Sequence, residues 1–462
     1  MKFFASIMFK PLLILLLIGA LNGLNAQYNP NSIYSRFGLG LIDNSGNVTH
    51  FGMGGITAPV SDPVALNMAN PASYSFLEVT NLQTTLKGAY TQASSSTSST
   101  NYLNGQVHEL SMGFKKPNTK WGLAFGLSPF SSVDYRFTSK DTLSDTLTAN
   151  YNYVGRGGIN KATLGFSRVF RIGGNENSDS STKRIHQLSI GVNGNYLFGS
   201  ISRENIVVFN QVEHYSTIEN YNLWVKGVTW DLGLQYKVNL RTKRDLQNRI
   251  VGGSVLQIGA TYGIGSNVSA EYSELLYSLR FSSNFAFRDT TRFVDGQRGT
   301  LSPPQQIQAG FAYKVYHKKW GTFTFCGEYK TQDWNKFKLS LSENARLYNG
   351  LTNASAFATG FEYKPNADVR NTIFNRMYYR VGYRNLRSEL AINGIQISQT
   401  AYTAGLTIPI IRSQSRLHLG IESGTRGTTE AGLVEEKQIG FMIGFSLTPS
   451  VFDRWFRQIK YD

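Results

Sequence analysis

Cysteine is almost missing from this 462-residue chain: Cys326 stands alone, so no internal disulfide framework holds the fold together. Proline is scarce, with 12 residues, and long stretches are therefore free to run as uninterrupted strands. Past the N-terminus no apolar run reaches the about 18–20 residues that a membrane helix needs. Histidine is sparse as well. His50, His108, His186, His214, His317 and His418 show no metal-ligand spacing with one another or with the cysteine. Gly38, Gly40, Gly54 and Gly55 lack the strand-loop-helix context and the following Lys of a phosphate loop. No Gly-x-Ser-x-Gly elbow occurs with a plausible acid and base. These absences argue against a disulfide scaffold, a helical membrane protein, a metalloenzyme and a hydrolase, and they imply neither cofactor nor catalytic residue.

What is abundant is glycine (45), phenylalanine (29) and tyrosine (25), set in alternating patterns. Over residues 439–447, Ile439, Phe441, Ile443, Phe445 and Leu447 share one face, opposite Gln438, Gly440, Met442, Gly444 and Ser446. Trp230, Leu232, Leu234, Tyr236 and Val238 oppose Asp231, Gly233, Gln235, Lys237 and Asn239 in the same way. Period-two alternation marks a strand with one apolar face. Its recurrence from about residue 80 onward, with no linker or composition shift, predicts one large antiparallel barrel with lipid outside. A soluble sandwich carries the same alternation, but export, length and the missing disulfides favour a barrel closed by backbone pairing.

Lys2 and Lys10 precede an apolar run over residues 12–21, and Ala26 sits at a cleavage position; residues 1–26 read as a signal peptide. The net charge of +16 fits anionic lipid headgroups and basic turns such as Lys115-Lys116 better than nucleic acid, because an exported protein does not meet it. Turn residues divide the barrel, residues 81–447, into about fourteen strands, with a long external loop over residues 266–304 and a hairpin tip at Asn393-Gly394. The glycine-rich segment 27–80 precedes the first strand and is expected to fold into the lumen as a plug. The tail, 448–462, carries Trp455, Phe456 and Arg457 at helical spacing, as in a short interfacial helix.

Arg376, Arg380 and Arg384 are expected to form an inward basic ladder. It either selects anions or supplies ion pairs, with Glu362, Glu328 and Glu422 as available acids. Trp121, Trp224, Trp230, Trp320, Trp334, Tyr378 and Tyr379 suit aromatic girdles. Cys326 reads as an inert inward residue. Asp141-Thr142-Leu143 and Asp145-Thr146-Leu147 resemble the O-glycosylation sequence of Bacteroidota.

Several motifs resemble one family of Bacteroidota outer-membrane proteins. They are Tyr34-Ser35-Arg36-Phe37-Gly38-Leu39-Gly40, Met53-Gly54-Gly55 and Asn70-Pro71-Ala72-Ser73, with the glycine-rich C-terminal strands and Trp455-Phe456. The chain is similar to the FadL-like long-chain fatty-acid transporter class, which includes the PorV-like barrels of type 9 secretion. The resemblance implies a fourteen-stranded barrel, a plug containing Asn70, Pro71, Ala72 and Ser73, and a non-enzymatic role in the outer membrane. That role is either accessory to a multi-subunit assembly (BAM) or type 9 secretion machine, with lipids and protein subunits as partners, or uptake of hydrophobic small molecules.

Overall fold

The computed structural model describes residues 32–448 apart from 44–45, 117, 173–184, 212, 245–249, 282–285, 342–350, 366–371 and 411–413. The chain forms a closed antiparallel barrel of fourteen strands. β1 (Asn81–Ser94), β2 (Ser99–Phe114), β3 (Trp121–Thr142), β4 (Thr148–Ile172), β5 (His186–Phe209) and β6 (Ser216–Arg244) follow in order. β7 runs as Ile250–Ile264 and resumes as Val268–Phe281, and β8 runs as Ala286–Ser302 and resumes as Gln306–His317. β9 is Gly321–Gln332, continued after one 3-10 turn by Lys338–Ser340. β10 (Ala354–Lys364), β11 (Tyr378–Ile392), β12 (Ile395–Pro409), β13 (Arg416–Arg426) and β14 (Glu435–Leu447) complete the circuit. β14 closes on β1 from Glu435↔Ser94 to Leu447↔Leu82. No helix among the described residues is long and apolar enough to cross a membrane. The strands can cross because each neighbour satisfies the other's backbone groups.

The alternation sorts the two faces of the wall. On β14, Ile439, Phe441, Ile443 and Leu447 are exposed while Met442 and Ser446 are fully buried. On β6, Trp224, Val228, Trp230, Leu232 and Leu234 are exposed in the same way and Gln235 is buried. The inward residues are buried because residues 32–80 lie against the inner wall. That segment holds a 3-10 turn (Ile33–Arg36), a two-residue strand (Leu41–Ile42), one α-helical turn (Val48–Phe51) and a 3-10 helix (Pro71–Phe76).

Several features differ from the sequence reading, Tyr378 among them: expected in a girdle, it faces inward with Lys364, Arg416 and Arg380 beside its ring. The expected loop over 266–304 is strand: β7 and β8 continue through it, paired from Val268↔Leu301 to Phe281↔Ala286. Inward Val268 and Ala270 join a buried cluster with Leu301 and other residues, and Tyr272 on the same face is buried too. Their alternation with Ser269, Glu271 and Ser273 puts the apolar face inside, the reverse of a lipid-facing strand. Arg376 lies in a single helical turn, Ile373–Arg376, before β11, so the ladder has two rungs on the strand. Trp334 is 2% exposed, packed inside with Phe337 and donating to Gln332, and is not in a girdle. The tip Asn393-Gly394 has both φ values positive, at 52° and 79°, as a two-residue hairpin turn requires. The signal peptide and the tail with Trp455, Phe456 and Arg457 fall outside the described residues.

Candidate functional site

The inner wall and the segment lying on it carry the densest polar chemistry. Asn70 begins the 3-10 helix because its Oδ1 accepts from Ala72 N at 3.0 Å, the usual N-cap role. Pro71 follows, where no donor is needed. Asn70 Nδ2 also donates to Ala58 O at 2.7 Å, and Ser73 Oγ donates to Asn67 O at 3.0 Å. The same helix meets the wall: Ser189 Oγ on β5 donates to Ala72 O at 2.6 Å, and Tyr74 OH donates to Asn193 at 2.9 Å. Burial pushes the Tyr74 phenol well above its usual range, so it stays a donor. Asn70, Pro71, Ala72 and Ser73 are thus a fold-and-dock element, and they line up no reactive group.

Three carboxylates fix the segment at different heights. Near the β13–β14 tip, Glu436 accepts from Ser32 Oγ at 2.7 Å and from Ile33 N at 3.1 Å, with Arg426 at 3.3 Å. Midway, Glu328 Oε2 on β9 accepts from Thr57 N at 2.8 Å and Ala58 N at 2.6 Å. Toward the β12–β13 turn, Asp62 pairs with Arg416 at 2.7 Å. Burial alone would raise the Asp62 carboxyl, but the Arg416 charge and the Val64 N–H hold it well below its usual range. Between these points the wall is thinned by glycine. A Cβ on Gly259 would lie 1.9 Å from Ala58 O, and one on Gly191 would lie 2.4 Å from Pro71 C. Only a residue without a side chain lets the two backbones approach this closely.

The basic ladder resolves into ion pairs. Arg380 Nη2 meets Glu362 at 2.7 Å and Arg384 Nη2 meets Glu422 at 2.7 Å. Tyr378 faces inward under three cations, with Lys364, Arg416 and Arg380 at 4.5, 4.9 and 5.4 Å from its ring. Cys326 is buried. His418 sits between Thr407 at 2.8 Å and Ser446 at 2.9 Å. No group of His, Cys, Asp or Glu among the described residues is placed to hold a metal.

Sequence reasoning missed one feature, a break in the wall. β2 and β3 pair only from Leu110↔Leu127 to Phe114↔Leu123. Beyond that, β3 takes Leu41–Ile42 at Ser132 and Ser131, and Phe130 O accepts from Asp43 N at 3.1 Å. Two irregularities flank the break. β2 bulges between Val107 and Glu109, turning His108 inward onto Asp43 at 3.0 Å and Gly46 O at 2.7 Å. β3 bulges at Phe130, beside Pro129. Bulges re-aim side chains and end pairing, and proline suits a strand without a neighbour to receive its N–H. Pro129 was the available sequence signal. A cavity of about 280 Å³ lies behind the break, its lining mixing apolar Leu41, Met68 and Leu386 with charged Lys87, Lys161 and Arg384.

The family model described as BamG matches residues 8–462. The chain belongs to the BamG family. No curated protein sequence matches it. Among solved structures, the Ralstonia pickettii toluene transporter TbuX is 13% identical, covers 88% of this chain and 99% of its own, and has a TM-score of 0.55. The monoaromatic hydrocarbon channel CymD is 14% identical over 89% of this chain and 98% of its own, at a TM-score of 0.51. A Pseudomonas aeruginosa FadL homologue is 11% identical over 88% and 98%, at 0.47. At the level of fold the chain is thus similar to the TbuX and CymD barrels, while the FadL-like, PorV-like and Bacteroidota parts of the resemblance remain expectations. Fold and family together imply the bacterial outer membrane. The solved structures above are those of a transporter and a channel.

Proposed function

We propose that this BamG-family chain is a non-enzymatic accessory barrel of the outer-membrane protein assembly (BAM) machine, with residues 32–80 acting as its plug. The observation that carries this reading is how the segment is held. Carboxylate contacts hold it at three heights, through the buried Glu436 and Glu328 of the wall and its own half-buried Asp62, and wall glycines leave no room between the backbones. Hydrogen bonds to charged groups contribute about 1.5–3 kcal/mol each, so a segment held by several is built to stay. The family match favours assembly over type 9 secretion. In this role the barrel works through contacts with lipids and other subunits, and it needs no cofactor.

The alternative, a channel for hydrophobic molecules, is favoured by one observation: the break between β2 and β3 leads to a cavity. The cavity is mixed in character, with Lys87, Lys161 and Arg384 beside its apolar residues, and seating a hydrophobic solute against charged side chains is costly. Purification of the C-terminally tagged chain from membranes in mild detergent, followed by mass spectrometry, tests the choice. Stoichiometric assembly subunits support the accessory role. A solitary barrel carrying a lipid or detergent tail in the cavity supports the channel.

A further inference from the structure

We propose that the rim at which β1 begins and β14 ends is an electrostatic docking face for an acidic soluble domain of a partner protein. The inference rests on the accessory-barrel reading and names the partner chemistry through which that role is exercised.

The two rims differ in charge. Short turns, such as residues 318–320 between β8 and β9, mark the rim at the start of β1 as the periplasmic side. Its described strand ends and turns are residues 115–116, 118–120, 171–172, 185–186, 237–244, 314–320, 364–365, 372–376 and 414–416. They hold 14 Lys and Arg and no Asp or Glu. The stretches on that side outside the described residues do not reverse the sign. Residues 173–184, 245–249, 366–371, 411–413 and 449–462 carry eight Lys and Arg against six Asp and Glu in sequence. The hairpins of the opposite rim are residues 94–99, 134–148, 203–219, 268–302, 330–340, 384–397 and 426–437. They hold 14 Lys and Arg against 15 Asp and Glu. The basic excess of the chain is therefore gathered at one end.

Lipid headgroups account for only part of it. They ring the outer wall, whereas several of these cations line the mouth of the lumen. Lys115 Nζ donates to Ser75 O at 2.7 Å, and Lys237 lies 5.5 Å from the ring of Phe76. Lys364 and Arg416 flank the Tyr378 ring, and Lys314 is near enough for its charge to act on Asp62. The acids facing them are fewer. Asp62 pairs with Arg416 and Glu362 with Arg380, and Glu78 acts on both Lys115 and Lys237. A bilayer lipid does not enter a mouth enclosed by the wall and the inner segment. A protein lying across the open end touches mouth and turns together, and it must bring the opposite charge. Screening confines the field to about 8 Å at physiological salt, so the partner's Asp and Glu must face the rim directly. The rim opens on water, so the partner's contact surface is a soluble domain.

The test places a photo-crosslinking amino acid at Lys318 or Lys120, both exposed in turns of this rim, in the tagged full-length chain in cells. Leu143, 51% exposed at the opposite rim, is the control. The expected result is a crosslink from Lys318 and Lys120 to an Asp- and Glu-rich stretch of a soluble domain, absent at Leu143. The triple variant Lys116→Glu, Lys243→Glu, Lys319→Glu should cut the yield at least about tenfold, the order by which surface fields change association rates. Arg288→Glu with Arg298→Glu, on the opposite side, should leave it unchanged. Heat-modifiable migration on gels reports folding, and Lys→Gln at the same three positions guards against a misfolded reversal. Assembly subunits that co-purify while neither position crosslinks to an acidic soluble domain overturn the docking face and leave the accessory role standing. A chain that purifies alone overturns the accessory role. Crosslinks to lipid alone, or a yield untouched by the charge reversal in a folded barrel, overturn the electrostatic partner.

Discussion

The wall between β5 and β6 and the wall between β2 and β3 are built from the same kind of strand and behave differently. The first is laddered through 22 register pairs, from His186↔Val238 to Val207↔Thr217. The second has five. Lipid-facing apolar residues are present on both, so hydrophobic patterning does not make the difference. Inner-face chemistry separates closed wall from break. On the closed β10–β11 wall, Arg380 and Glu362 pair at 2.7 Å with side chains 2% and 15% exposed. At the break, Lys87 reaches Asp43 at 3.4 Å and is 25% exposed. The closed wall is cross-braced, and the break is held through the N-terminal segment. A barrel can therefore be cross-braced over most of its circumference and still carry a short ladder at one seam.

The largest effect should come from removing a brace. Arg380→Ala leaves Glu362 facing a buried site without its partner, which costs roughly 3–5 kcal/mol. Arg298 pairs with Glu271 at 3.6 Å with its side chain 85% exposed, so Arg298→Ala should cost under about 1 kcal/mol. Urea unfolding of both variants in detergent micelles checks the contrast. Equal losses would show that burial does not govern these pairs.

Next comes the close approach between wall and segment. Gly259→Val drives a side chain into Ala58 O, where even a Cβ would lie 1.9 Å away. The struck atom also accepts from Gln235 at 2.8 Å. Overpacking costs about 1–3 kcal/mol, and here the segment can relieve it by leaving the wall. Hydrogen exchange over residues 54–75 should rise while the β5–β6 ladder keeps its protection. Unchanged exchange would mean that the wall yields instead.

Acid should loosen the same segment. Burial and the Arg380 charge push His50 down to about 3 from its usual 6.5. Its folded pKa is depressed, so the unfolded state binds more protons between those values. The stability it contributes is full above pH 6.5 and is lost as pH falls toward 3. Between pH 7 and pH 5 the loss is about 2 kcal/mol. Asp62, held low by Arg416, stays ionised over this window and adds no slope. Exchange of residues 46–62 should increase between pH 7 and pH 5 in the native chain and stay flat in His50→Gln. A slope that survives in the variant assigns the effect elsewhere.

Sequence alone read the barrel well because bilayer physics is local. Each lipid-facing residue of β14 needs apolar character whatever its partner, so Ile439, Phe441, Ile443 and Leu447 announce their face. Beyond the bilayer that constraint lapses. Val268, Ala270 and Tyr272 turn their apolar side inward, and the stretch read as loop. The anchors were harder still. Glu328 as an acceptor for Thr57 and Ala58 joins residues 270 apart in sequence, and nothing in either neighbourhood encodes the pairing. Arg380 and Arg384 were visible as an inward ladder, but Arg376 shared their spacing without sharing their strand. The break was least legible, since it is a property of register between β2 and β3 and not of either strand.

Pro129 offers the smallest and most specific check on the break. In a strand laddered on both sides a proline deletes a backbone donor and costs accordingly. Pro129 lies just past Leu127, the last residue pairing β3 with β2, and still keeps register with Asn160 on β4. Pro129→Ala restores an N–H at a position where no β2 strand waits to accept it. Stability should change by no more than about 0.5 kcal/mol, as for substitutions away from special features, and backbone exchange over residues 105–109 should stay as it is. A clear gain in stability, with exchange over residues 105–109 slowed, would mean that the new N–H draws β2 and β3 together. The break would then depend on proline, and the contrast between the two walls would rest on one residue instead of on the bulges at His108 and Phe130.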